Sequence, residues 1–162
     1  MRHSDTYIRR QADRLLHSAG ITREPVELLD VVSALNLEVV QTAREPFASE
    51  AALEPLGDGY AIVLHGDSNE RRRRFTIAHE IGHFVLHPGR PRMERGGHVT
   101  EAGRLEEREA DVFAAALLMP EHLVREAVYE HGADVARLSD RFLVSSAAMQ
   151  VRLRSLGLSR EP

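Results

Sequence analysis

Two histidines four residues apart, with a glutamate directly after the first, make His79-Glu80-Ile81-Gly82-His83 the part of this chain best suited to chemistry. On an α-helix, positions i and i+4 lie one above the other on a single face, so both imidazoles can address one metal ion. Glu80 then sits beside that ion, where a carboxylate can act as general base toward a water molecule. The flanks support a helix over residues 68–87. Asp67-Ser68-Asn69-Glu70 is a capping signal, with a carboxylate three residues after Asp67. Phe75, Ala78, Gly82, Val85 and Leu86 recur at helical spacing until Pro88-Gly89 ends the run.

A catalytic zinc takes three protein ligands and keeps one position for water. The chain has no cysteine, so the third ligand must be His, Asp or Glu. A second helix, expected over 102–119 and ended by Pro120, offers Glu106, Glu107, Glu109 and Asp111 ahead of a strongly apolar run. Glu109 shares a face with Phe113, at the edge of the stripe that must be buried, and is favoured on spacing. Glu106 and Glu107 are expected to face water and pair with Arg104 or Arg108. An oxyanion donor is also required, and Tyr60, Arg74 and His98 are the candidates. His87, one turn beyond His83 at the helix end, suits a supporting role as a cation or hydrogen-bond donor. Of the run Arg71 to Arg74, Arg74 is the one expected to turn inward.

Other elements must position these groups. Ser4 can cap a helix carrying Ile8, Ala12, Leu15 and Leu16, ended by Gly20. Pro25 suits the first turn of a second helix to about residue 35, with Val26, Leu29 and Val32 inward. Residues 37–42, 51–54 and 60–64 are short and rich in Val, Ile and Leu, with Gly57-Asp58-Gly59 as a turn. They are expected to form a small antiparallel sheet beside the histidine helix. Residues 88–103 read as a loop, and 121–130, 134–142 and 146–156 as a helical tail. The fold class is α+β, in one domain over 1–162: helices and small sheet to 66, the histidine helix 68–87, the third-ligand helix 102–119 and the tail 121–157.

At this point the chain resembles the ImmA/IrrE-type zinc metallopeptidases. The resemblance rests on two stretches, Arg74-Phe75-Thr76-Ile77-Ala78-His79-Glu80-Ile81-Gly82-His83-Phe84-Val85-Leu86-His87 and Glu107-Arg108-Glu109-Ala110-Asp111-Val112-Phe113-Ala114-Ala115-Ala116-Leu117-Leu118-Met119-Pro120. It implies a zincin-like core of minimal gluzincin type, with His79, His83 and Glu109 as metal ligands and Glu80 as the catalytic glutamate. Asp111 stands where the family often has Asn, and would support the site without ligating. The implied activity is zinc-dependent endopeptidase action, one Zn2+ per chain, on a partner protein such as a helix-turn-helix repressor, in stress responses or toxin-antitoxin-like pairs. The donor set also accepts Mn2+ or Fe2+.

Composition narrows the remaining classes. With 43% hydrophobic and 28% charged residues the chain is that of a globular domain. No secretory signal and no membrane span is visible in the sequence, so a cytoplasmic location is expected. All 21 basic residues are arginine, yet the formal charge is −4, which gives no footprint for phosphate backbones. Residues 135–153 nevertheless resemble a helix-turn-helix, in which Ser145 caps the second helix and Gln150, Arg152 and Arg154 face a groove. Leu143 stands where such turns often carry Gly. The alternatives to a peptidase are therefore a non-catalytic module that sequesters a partner and a DNA-binding module. Direct nucleic-acid binding is not expected.

Overall fold

The computed structural model describes residues 2–43, 49–89 and 101–159. Helix α1 (Asp5–Ser18) is capped by Ser4, whose hydroxyl accepts from the Tyr7 amide, and buries Ile8, Ala12, Leu15 and Leu16. Helix α2 (Leu28–Ala34) starts later than the proline suggests. With Leu28 in its first turn, the inward face is Leu28, Val31 and Val32 at i, i+3 and i+4. Val26 is buried ahead of the helix, whereas Leu29, expected inside, is 62% exposed.

Strands β1 (Leu37–Thr42), β2 (Ala51–Leu56) and β3 (Gly59–His65) form one sheet in the order β1-β3-β2. The expectation of an antiparallel sheet holds for β2 and β3, paired from Ala51 with Leu64 to Leu56 with Gly59. It fails for β1, which runs parallel to β3 from Leu37 with Tyr60 to Thr42 with His65. The sheet is mixed, and β3 is its centre. Its composition shows why: Ala61, Ile62, Val63 and Leu64 are all buried in succession, as a strand covered on both faces requires.

Helix α3 (Glu70–Leu86) carries the histidines. Its cap is Asn69, whose side chain accepts from the Arg72 amide. It packs on α4 (Glu101–Leu118) and so buries the apolar run that precedes Pro120, while α1 covers another side of α4. At Gly82 the α3 backbone lies tight against α4. A Cβ there would lie 3.1 Å from both the Cα and the carbonyl oxygen of Ala110 and 3.2 Å from Phe113. A Gly82→Ala protein gains up to ~1 kcal/mol in helix propensity, but overpacking against backbone costs ~1–3 kcal/mol. The expected net result is a lower Tm by calorimetry; an unchanged or higher Tm would show that the two helices separate freely.

Helices α5 (Glu121–His131), α6 (Val135–Phe142) and α7 (Ser146–Ser155) complete the chain. Between α6 and α7, Leu143 adopts the left-handed conformation (φ 52°, ψ 48°) and Ser145 caps α7 by accepting from the Ala148 amide. The turn therefore forms without glycine. Gln150 and Arg154 are exposed, but Arg152 is not available to a groove: it is 4% exposed and donates from Nε to the Met119 carbonyl at 2.9 Å.

Candidate metal centre

His79 and His83 occupy consecutive turns of α3, and their Nε2 atoms approach to 3.0 Å. Across the helix pair, Glu107 of α4 meets both: Oε2 lies 3.2 Å from His79 Nε2 and Oε1 3.2 Å from His83 Nε2. Two imidazole nitrogens and a carboxylate thus converge on one point. Ligand atoms about 2.1 Å from a tetrahedral zinc ion stand ~3.4 Å apart, so these donors fit such an ion in kind and in spacing.

One turn further along α4, Asp111 Oδ1 lies 2.9 Å from His79 Nδ1. When Nδ1 donates its proton to that carboxylate, Nε2 is left as the lone-pair nitrogen facing the cluster. Glu107 and Asp111 are themselves i and i+4, so α4 presents one acid to both histidines and one behind the first. Burial disfavours a charged His79, but its contacts with Asp111 and Glu107 and the charge of Glu80 prevail, and the pKa is raised to about 9.

Glu80 is 1% exposed at the floor of the site. A cleft of about 230 Å3 opens beside it, lined by Phe75, Thr76, His79, Glu80 and Asp111 on the helices, by Ala51 at the start of β2, and by Ser49 and Glu50 just ahead of it.

Glu109, favoured on spacing as the third ligand, is placed elsewhere. Successive helical residues turn by about 100°, so Glu107 and Glu109 point to different sides of α4. Glu109 is 2% exposed. Its Oε1 accepts from the His3 amide at 2.7 Å and its Oε2 lies 3.7 Å from His87 Nε2. The structure thus brings Glu107, its side chain 48% exposed, to the two histidines and leaves the buried Glu109 beside His3 and His87. The missed signal is the match of Glu107-x-x-x-Asp111 with His79-x-x-x-His83, equal spacings on facing helices.

The other candidates spread out. Burial pushes His87 below the usual histidine pKa, against a role as helix-end cation. Arg74 does turn inward, but donates to the Val26 carbonyl at 2.8 Å, ahead of α2. Tyr60 is 42% exposed and meets Phe84 edge-on at 5.9 Å. His98 lies outside the described residues.

Sequence comparison bears on the same elements. Residues 31–154 match the peptidase family described as the IrrE N-terminal-like domain. The chain belongs to that family. It is 34% identical over 93 residues to the radiation response metalloprotease IrrE of Deinococcus radiodurans, covering 54% of this chain and 28% of that protein. It is 28% identical over 99 residues to the metallopeptidase ImmA of Bacillus subtilis, covering 59% of this chain and 57% of that one. The matches therefore span under two thirds of either relative. A Mycobacterium tuberculosis transcriptional regulator shares the fold, with a TM-score of 0.69 at 19% identity over 91% of this chain and 46% of the other. Among the described residues of this IrrE-like chain, no helix is long and apolar enough to cross a membrane.

Proposed function

We propose that this IrrE-like domain is a zinc-dependent endopeptidase with a zincin-like core, in which His79, His83 and Glu107 hold the ion and Glu80 is the general base. The observation that carries the reading is the convergence of Glu107 on the two Nε2 atoms with Glu80 buried alongside. A purely structural site has no use for that fourth group. When bound, the ion acidifies a water molecule and polarises the scissile carbonyl. Glu80 accepts the water's proton and delivers it to the leaving nitrogen. Asp111 fixes the His79 ring. Among the described residues strand β2 lies at the sheet edge, and its first residue, Ala51, lines the cleft with Ser49 and Glu50 just ahead of it, so an extended peptide pairing with that edge is brought beside Glu80.

A folded substrate cannot enter in this way, which favours an exposed segment of a partner protein. A helix-turn-helix repressor is the partner that the ImmA/IrrE resemblance implies, and the role is then regulatory. The test is terminal labelling and mass spectrometry of cell extract incubated with the zinc-loaded protein. New amino termini that Glu80→Gln does not generate support the proposal; identical termini with both proteins sink it. The DNA-binding alternative loses one of its three contacts, because Arg152 is buried and donates to the Met119 carbonyl.

Metal uptake should depend on pH in a definite direction. Below about 9, His79 of the metal-free protein carries an extra proton, which an incoming ion must displace. Apparent zinc affinity is expected to rise with pH through neutrality and flatten above about 9, measurable by competition with a chelator. A flat profile from pH 6 to 9 would contradict it.

A further inference from the structure

A second group of donors lies on the other side of α4. One donor atom each from His3, His87 and Glu109 falls within 4.8 Å of the others. Two of these side chains are buried with a polar atom unsatisfied. Glu109 is 2% exposed and its Oε2 has no hydrogen-bond partner among the described residues; His87, its side chain 7% exposed, leaves Nε2 likewise without one. These two atoms face each other at 3.7 Å. That is too long for a hydrogen bond, which would bring them to ~2.9 Å, but close to the ~3.4 Å between two ligands on a zinc-sized ion. A buried carboxylate oxygen without compensation is costly, so the arrangement calls for a partner that no side chain among the described residues supplies.

His3 can complete such a partner's shell. Its amide already donates to Glu109 Oε1 at 2.7 Å, its ring lies 6.0 Å from that of His87, and its Nε2 is 3.3 Å from the Leu86 carbonyl. A rotation of the His3 ring exchanges that weak contact for a place beside His87 and Glu109.

We propose that His3, His87 and Glu109 form a second divalent-cation site, which fastens the amino-terminal segment to the end of α3 and the middle of α4. Two imidazoles and a carboxylate select a borderline ion such as Zn2+ over Mg2+ or Ca2+, which take oxygen ligands. None of the three residues belongs to the His79–His83–Glu107 cluster, so the two sites can be emptied one at a time. The bound ion ties together residues 84 and 106 positions apart from His3 in the chain; its effect is on the docking of the terminus.

The experiment loads the full chain, stripped with chelator, with excess Zn2+, removes unbound ion and counts zinc per chain by mass spectrometry. Hydrogen exchange over the first helix is followed in parallel. Wild type is expected to hold one equivalent more than His3→Ala or His87→Gln, with zinc slowing exchange in wild type only. His83→Ala should retain that extra equivalent, so failure of the peptidase reading leaves this result standing. His3 lies ahead of α1, so its replacement by alanine tests the site without disturbing the core. If His3→Ala binds as much zinc as wild type, the second site is overturned.

Discussion

A Glu80→Gln protein is expected to take up zinc as wild type does and to cleave its substrate about 10^2–10^4-fold more slowly, the range for loss of a positioned general base. The substitution is nearly isosteric, which matters here because Glu80 is 1% exposed and a smaller residue would leave a cavity in the floor of the site. Glutamine keeps the volume and removes the proton acceptor. The loss should appear in kcat with KM little changed, since the proposed base would act on the attacking water and not on peptide binding. Retained cleavage with full zinc content would move the base elsewhere. Loss of zinc and cleavage together would mean that Glu80 holds the site in shape.

The second large effect separates two glutamates that lie two residues apart. Glu107→Ala is expected to weaken binding at the His79–His83 site by more than ~100-fold, since even partners behind a ligand are worth ~10–100-fold. Asp111→Ala should fall within that lower range. Glu109→Ala should leave this site filled, because its carboxylate contacts His3 and stands opposite His87. Zinc titration of a His3→Ala background isolates the site for all three. The opposite ranking, Glu109 above Glu107, would restore the assignment that burial and the family resemblance suggested and refute the one drawn from geometry.

That pair of residues also shows what the sequence made legible. The two histidines follow from local periodicity: four residues on a helix is a fixed displacement, and no tertiary contact alters it. The capping and stop signals of α1 and α3 are local in the same sense and place those helices within a few residues. Glu107 is a different problem, because its role depends on how α4 is rotated against α3. That rotation depends on tertiary packing, of which Gly82 against Ala110 is one contact. The sheet divides along the same line. The turn at Gly57-Asp58-Gly59 makes β2 and β3 antiparallel neighbours, while the parallel partner of β1 is fixed only by the whole arrangement. Leu29 was misplaced by the later start of α2, and Arg152 because a basic residue on a tail helix reads as solvent-facing until the Met119 carbonyl behind it is seen.

The missing methyl group at Gly82 bears on which ion the proposed site would accept. In the proposed site two ligands ride on one helix and the third on its neighbour, so the gap between the helix backbones sets how closely Glu107 approaches the two histidines. With α3 and α4 in contact at Gly82, Glu107 stands 3.2 Å from each histidine nitrogen, a span for a small tetrahedral cation. A bulkier residue at position 82 would jack the helices apart and loosen the grip on zinc relative to manganese, which accepts longer bonds and more oxygen ligands. Selectivity among metals, ordinarily ascribed to the ligands, would here be written partly into a residue that touches no metal at all.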